Sequence, residues 1–139
     1  MKVGPWHLVV WIDHEIAHLY AETRGGVEEI ATILAGKLDS HAHHHSDSTG
    51  SGHAAPDTRF LAEVTRATQG AREILIVGPS DSRTALRNHM ESHAQPMADR
   101  IVGVEPMPRS SEREIHKFAR RYFRRHDLTT PRGASDGIN

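Results

Sequence analysis

Histidine is the first residue type in this chain that invites a chemical reading: there are twelve in 139 residues, with no cysteine. Five of them, His41, His43, His44, His45 and His53, crowd one short stretch that also holds Gly50 and Gly52. Neutral imidazoles bind Zn²⁺ or Ni²⁺, but a structural zinc site needs four ligands on an ordered frame. A Gly- and Ser-rich stretch supplies no such frame. Imidazoles can also stack on unpaired RNA bases. The plainer reading is a solvated loop, and the three stay open together.

A second group is cationic. Residues 109–126 carry Arg109, Arg113, Lys117, Arg120, Arg121, Arg124 and Arg125 against Glu112 and Glu114. If this stretch is a helix with its apolar stripe turned inward, most of these cations face outward and can contact phosphates. The alternative is a merely solvated basic face. Three carboxylates, Asp13, Glu22 and Glu105, raise the question of a two-metal nuclease, whose Mg²⁺ ions sit about 4 Å apart; structural roles for all three are the competing reading. Gly78-Pro79-Ser80, followed by Arg83 and Arg87, could hold an anion at a helix N-terminus. No Walker pattern accompanies it, and a tight turn is the simpler account. No Gly-x-Ser-x-Gly elbow is present, so serine hydrolase chemistry has no support.

The elements that would position these groups follow from periodicity. His7 to Ile12, Ala17 to Thr23 and Val27 to Leu34 read as three strands, with Arg24-Gly25-Gly26 as a hairpin turn. Asp57 is an N-cap for a helix carrying Phe60, Leu61, Val64 and Ala67, ended by Gln69-Gly70. Glu73 to Val77 is a short apolar strand. A helix over 81–93 carries Leu86 and Met90, and Arg100 to Glu105 is a further strand. Ser111 and Glu114 have capping-box spacing. The helix that they open is predicted to bury Ile115, Phe118, Ala119, Tyr122 and Phe123, at i, i+3, i+4, i+7 and i+8. A terminal β-α-β-α unit requires parallel strands with right-handed crossovers. The predicted fold is therefore α/β: a five-stranded mixed sheet, an antiparallel meander followed by parallel strands, with helices on both faces.

The predicted organisation is one domain over residues 1–128, with a mobile His/Gly/Ser-rich loop over 36–56 and a flexible tail over 129–139. Net charge is −1, but residues 1–57 hold three basic residues against eight acidic ones, and residues 58–139 hold fourteen against ten. The basic excess thus lies in the second part of the chain. The start shows no secretory signal and no apolar run approaches a membrane span, so the expectation is a cytoplasmic protein with no membrane partner.

The order of elements, together with several short strings, resembles the middle domain of eukaryotic and archaeal class-1 release factors and of pelota. More closely it is similar to a bacterial translational machinery protein family. The strings are Val9-Val10-Trp11-Ile12-Asp13 running into Ala17-His18-Leu19-Tyr20, then His43-His44-His45 and Phe60-Leu61-Ala62-Glu63-Val64. Ile74-Leu75-Ile76-Val77-Gly78-Pro79, Ile101-Val102-Gly103-Val104-Glu105 and Ala119-Arg120-Arg121-Tyr122-Phe123 complete them. They cover the chain from about residue 6 to 126. The resemblance implies a variant of the ribonuclease H-like fold and a binding role on the ribosome or a tRNA-like RNA, in rescue or hibernation. Together with the loop chemistry and the basic last helix, it favours RNA contact at His43, His44, His45, Gly50, Gly52, His53, Lys117, Arg120, Arg121, Arg124 and Arg125. No cofactor, metal ligand or catalytic residue is implied, and a homo-oligomer is left open. One departure limits the likeness. The loop reads Ser48-Thr49-Gly50-Ser51-Gly52-His53 where release factors carry Gly-Gly-Gln, a tripeptide absent from this chain. The length also leaves no room for a stop-codon-reading domain, so termination activity is not expected. The remaining alternatives are a Mg²⁺-dependent nuclease on Asp13, Glu22 and Glu105, and a protein-interaction module.

Overall fold

A computed structural model describes residues 6–23, 26–36 and 57–129. The five loop histidines, Gly50 and Gly52, the Arg24-Gly25 part of the hairpin turn and the tail beyond Thr129 lie outside the described residues. Five strands are present: β1 (His7–Ile12), β2 (Ile16–Thr23), β3 (Gly26–Leu34), β4 (Glu73–Gly78) and β5 (Ile101–Pro106). The helices are α1 (Thr58–Ala67), α2 (Ser82–His93), α3 (Gln95–Ala98) and α4 (Glu112–Thr129). The strands form one sheet in the order β3-β2-β1-β4-β5. β1 pairs antiparallel with β2 and parallel with β4, and β5 runs parallel to β4. This is the five-stranded mixed α/β sheet that the periodicity predicts.

Leu8 to Ile12 are buried without interruption, as expected of a strand covered on both faces. Leu8, Val10 and Ile12 join Ala17, Leu19, Ala21, Ile74 and Ile76 beneath Phe60, Leu61 and Val64 of α1 and Leu86 and Met90 of α2. Val9 and Trp11 join Tyr20, Leu75, Val77 and Met107 on the other face, beneath Ile115, Ala119 and Phe123 of α4. Each fully buried aliphatic contributes about 1.5–3 kcal/mol relative to exposure. α4 keeps its predicted stripe, except that Phe118 and Tyr122 are only half-buried at its flank. Gly103 is the reason Tyr122 fits there, because a Cβ on Gly103 would strike the Tyr122 hydroxyl. Gly78 likewise lets β4 approach the Ile12 carbonyl, where no Cβ could stand.

Local chemistry sets the ends of these elements. Asp13 turns the chain between β1 and β2 by accepting from the backbone N–H of Glu15 (2.8 Å) and Ile16 (2.9 Å). Asp57 Oδ1 accepts from the N–H groups of Arg59 and Phe60, both at 3.1 Å. Its Oδ2 accepts from Gly36 N (3.1 Å), tying the end of β3 to the start of α1. Ser111 and Glu114 form the reciprocal capping box: Glu114 N donates to Ser111 Oγ (3.1 Å) and Ser111 N to Glu114 Oε1 (3.2 Å). α3 is an addition to the sequence reading, one turn opened by Pro96. No helix among the described residues is long and apolar enough to cross a membrane.

β3 is an edge strand and mostly exposed. A bulge opposite Leu19 and Tyr20 leaves Ile30 unpaired and exposed. Glu29 beside it accepts from His18 Nδ1 (2.7 Å) and from the Thr32 hydroxyl. The Thr32 and His18 hydrogen bonds hold the Glu29 carboxyl below its usual range, outweighing the opposing effect of burial.

Two outcomes follow from these contacts. Asp57→Ala removes both capping bonds and the Gly36 tie, and should lower stability by about 1–2 kcal/mol, read as a lower urea midpoint at unchanged m-value. Because the folded-state pKa of Glu29 is depressed, its contribution is complete above the unfolded carboxylate value. It is lost as pH falls through the lowered folded value. Glu29→Gln should therefore flatten the acid limb of stability against pH and leave the neutral-to-basic side unchanged in slope; an unaltered acid limb would show that this carboxylate contributes nothing.

Candidate nucleic-acid interface

The cations of α4 point away from the sheet because the stripe of Ile115, Ala119 and Phe123 fixes the helix rotation. Arg113, Lys117, Arg120 and Arg124, at i, i+4, i+7 and i+11, share the outer side, flanked by Arg121 and Arg125. All six are exposed. From Arg113 to Arg124 the row extends about 16 Å along the helix. Arg120 Nε lies 3.8 Å from Glu22 Oε2, yet its side chain remains 61% exposed. A charge pair at that distance and exposure contributes little, so the cation stays available. Leu128, 80% exposed, closes the outer side at the helix end. Arg109 behaves differently. Its guanidinium lies over the Trp11 ring (5.7 Å) and 3.3 Å from Asp13 Oδ2, so it is directed at the end of β1 rather than along the outer side of α4, although the side chain is 75% exposed.

Beneath this ridge lie further polar groups. His116 stands edge-on to Tyr20, centroids 4.9 Å apart, with Nε2 3.6 Å from Glu112 Oε2. Burial, then the charges of Glu29 and Glu112, push the Tyr20 hydroxyl up to about 12. The Tyr122 hydroxyl donates to Glu105 Oε2 (3.1 Å), and burial followed by that bond raises its pKa. Neither tyrosine is set up to lose a proton near neutrality.

The three carboxylates of the nuclease reading do not converge. Asp13 follows β1 at the carboxyl end of the parallel strands and is occupied with its turn and Arg109. Glu105 lies at that same end but on β5, two strands away, a lateral separation of about 10 Å by ordinary strand spacing. Glu22 pairs with His7, at the opposite end of β1. The Gly78-Pro79-Ser80 junction proves to be a turn closed by its own arginine. Arg83 Nη1 donates to the carbonyls of Gly78 (3.0 Å) and Ser80 (2.6 Å), leaving that nitrogen committed to backbone rather than to an anion.

One cluster went unnoticed in the sequence. His7 Nδ1 donates to Glu22 Oε1 (2.9 Å), while His7 Nε2 faces Asp127 Oδ2 (3.1 Å) and Glu73 Oε1 (3.3 Å). His126 Nε2 is 3.9 Å from the other Glu73 oxygen. Glu22, His7 and Glu73 form a lateral row on adjacent strands, all in register, and the last turn of α4 roofs it. Residues 7, 73 and 127 are too distant in sequence to form a motif. The usable signal is only that His7 and Glu22 alternate onto the same face of paired strands.

No protein-family signature and no curated protein matches this sequence. Solved structures do match in fold. Pelota of Archaeoglobus fulgidus is 15% identical with a TM-score of 0.60, over 84% of this chain and 31% of that one. Thermoplasma acidophilum Pelota is 14% identical with a TM-score of 0.58, over 96% and 35%. Dom34 of S. cerevisiae, described as a translation termination-like factor in RNA quality control that interacts with Hbs1, is 12% identical with a TM-score of 0.54, over 94% and 34%. The chain thus spans about a third of the length of these proteins, and what it shares with them is the fold of that portion.

Proposed function

We propose that the chain is a translation-related binding module that docks on the ribosome or on a tRNA-like RNA through the outer side of α4. The observation carrying this reading is the exposed row of Arg113, Lys117, Arg120 and Arg124 with Arg121 and Arg125 beside it, rigidly presented on a fold of the pelota kind. Such a row supplies a sequence-independent, salt-dependent attraction to phosphates. The proposed contact set is Lys117, Arg120, Arg121, Arg124 and Arg125, with His43, His44, His45, Gly50, Gly52 and His53 reaching unpaired bases from the segment before α1. The absence of Gly-Gly-Gln from the chain argues for a role in rescue or hibernation rather than peptidyl-tRNA hydrolysis. A place in the bacterial translational machinery family and a cytoplasmic location belong to the same proposal. The separation of Asp13, Glu22 and Glu105 favours binding over Mg²⁺-dependent cleavage.

Cosedimentation with ribosomes, followed over a salt series, tests this. Replacing Lys117, Arg121, Arg124 and Arg125 with Gln leaves the Arg120–Glu22 contact in place. It should weaken binding at low salt and reduce the slope of log K against log salt by about three, at roughly 0.7–0.9 for each phosphate that is no longer neutralised. Failure of the unaltered protein to cosediment, or an unchanged slope in a folded variant, would sink the proposal.

A further inference from the structure

We infer that His7, Glu73 and Asp127 form a binding site for a first-row divalent metal ion, with Zn²⁺ the best match to the donor set. One imidazole nitrogen and two carboxylate oxygens from three separate elements come within 4.8 Å of one another. The distances from His7 Nε2 to the two oxygens are 3.1 and 3.3 Å. Two ligand atoms about 2.0–2.1 Å from a tetrahedral Zn²⁺ stand about 3.3 Å apart. Two of the three donor separations are therefore close to what the ion requires, and the third, between the two carboxylates, is within 4.8 Å. A mixed nitrogen and carboxylate set suits Zn²⁺ and its neighbours better than Mg²⁺ or Ca²⁺, which take oxygen almost throughout. Three protein donors leave a position for water, the pattern of an open zinc site.

The surroundings do what outer groups do at metal sites. Glu22 holds His7 by Nδ1, which fixes the ring plane and leaves Nε2 directed at the two carboxylates. His126 stands 3.9 Å from the second oxygen of Glu73, able to hold that carboxylate from outside. Phe123 stacks on the His7 ring, with centroids 4.3 Å apart and planes at 23°, and prevents it from swinging away. Positions are fixed by the backbone too. Arg72 N and Glu73 N both donate to the Trp6 carbonyl, at 3.1 and 2.7 Å, locking the start of β4 against the start of β1. The side chains of His7, Glu73 and Asp127 are 17%, 16% and 20% exposed, so the cluster is sheltered yet within reach of an ion. A bound ion would join β1 and β4 to the last turn of α4. This inference is independent of the RNA-binding proposal.

The other histidines dictate the form of the test. The chain carries eleven of them besides His7, and His89 and His93, one turn apart on α2 with ring centroids 4.6 Å apart, make a competing chelate. The readout must therefore be specific to His7. In the full-length chain with His41, His43, His44, His45 and His53 changed to Ala, Zn²⁺ is titrated while imidazole nitrogen resonances are recorded by NMR. The first equivalent should move the His7 ring signals and raise the thermal midpoint. Asp127→Asn and Glu73→Gln, each shown to be folded by circular dichroism, should abolish both effects. Glu22→Gln should weaken them by about 10–100-fold, as loss of a supporting hydrogen bond does. If the first equivalent moves His89 and His93 while His7 stays still, or if either folded carboxylate variant binds as before, the site is not a metal site.

Discussion

β1 is paired along both edges and covered on both faces, and the other elements take their places from that. Its buried residues alternate between two cores: Leu8, Val10 and Ile12 face α1 and α2, and Val9 and Trp11 face α4. A shift of one residue in register would exchange the two sets and turn His7 into the α1–α2 core. The parallel pairing with β4 and the antiparallel pairing with β2 both start at His7, which aligns Glu22, His7 and Glu73 in one row. That row is therefore a consequence of how the central strand is buried. So is the direction of the α4 cations, because the helix can present only its apolar stripe to Val9, Trp11 and Leu75.

Most of the fold was legible in the sequence for identifiable reasons. β1 and β4 are short, apolar and bounded by turn residues. α4 carries a capping box and a stripe at helical spacing, and α1 carries a capping aspartate; the bonds expected from Ser111, Glu114 and Asp57 are all present. α3 was not legible, because four residues opened by a proline give no period to read. The half-burial of Phe118 and Tyr122 also lay beyond periodicity. It depends on where β5 ends and on Gly103 yielding space to the Tyr122 ring, a contact between strand and helix that no local pattern encodes.

The candidate sites differ in the same way. Outward cations on a helix can be read from one amphipathic segment, and Lys117, Arg120, Arg121, Arg124 and Arg125 stand where that reading puts them. Convergent side chains need the register of three strands and the docking of a helix. Sequence therefore grouped Asp13, Glu22 and Glu105, which the sheet separates, and missed His7, Glu73 and Asp127, which it joins. The bulge in β3 and the second bulge between β4 and β5 further shift which residues stand opposite one another.

Asp127 connects the two faces of α4. A carboxylate in the last turn of a helix meets the negative end of the macrodipole and is disfavoured there, whereas Arg124 and Arg125 in the same region are favoured. On its own, Asp127 would loosen the helix end. Facing His7 at 3.1 Å, it fastens that end to the start of β1 instead. The fastening matters for the outer side because the end of a helix frays unless something holds it, and Arg121, Arg124 and Arg125 lie within the last turns. A cationic surface that frays loses side-chain and backbone entropy on meeting phosphates; one already held loses less. The Glu22–His7–Glu73 row under the helix thus bears on the basic row over it through Asp127, whose contact with His7 holds the end of α4 from which Arg121, Arg124 and Arg125 project.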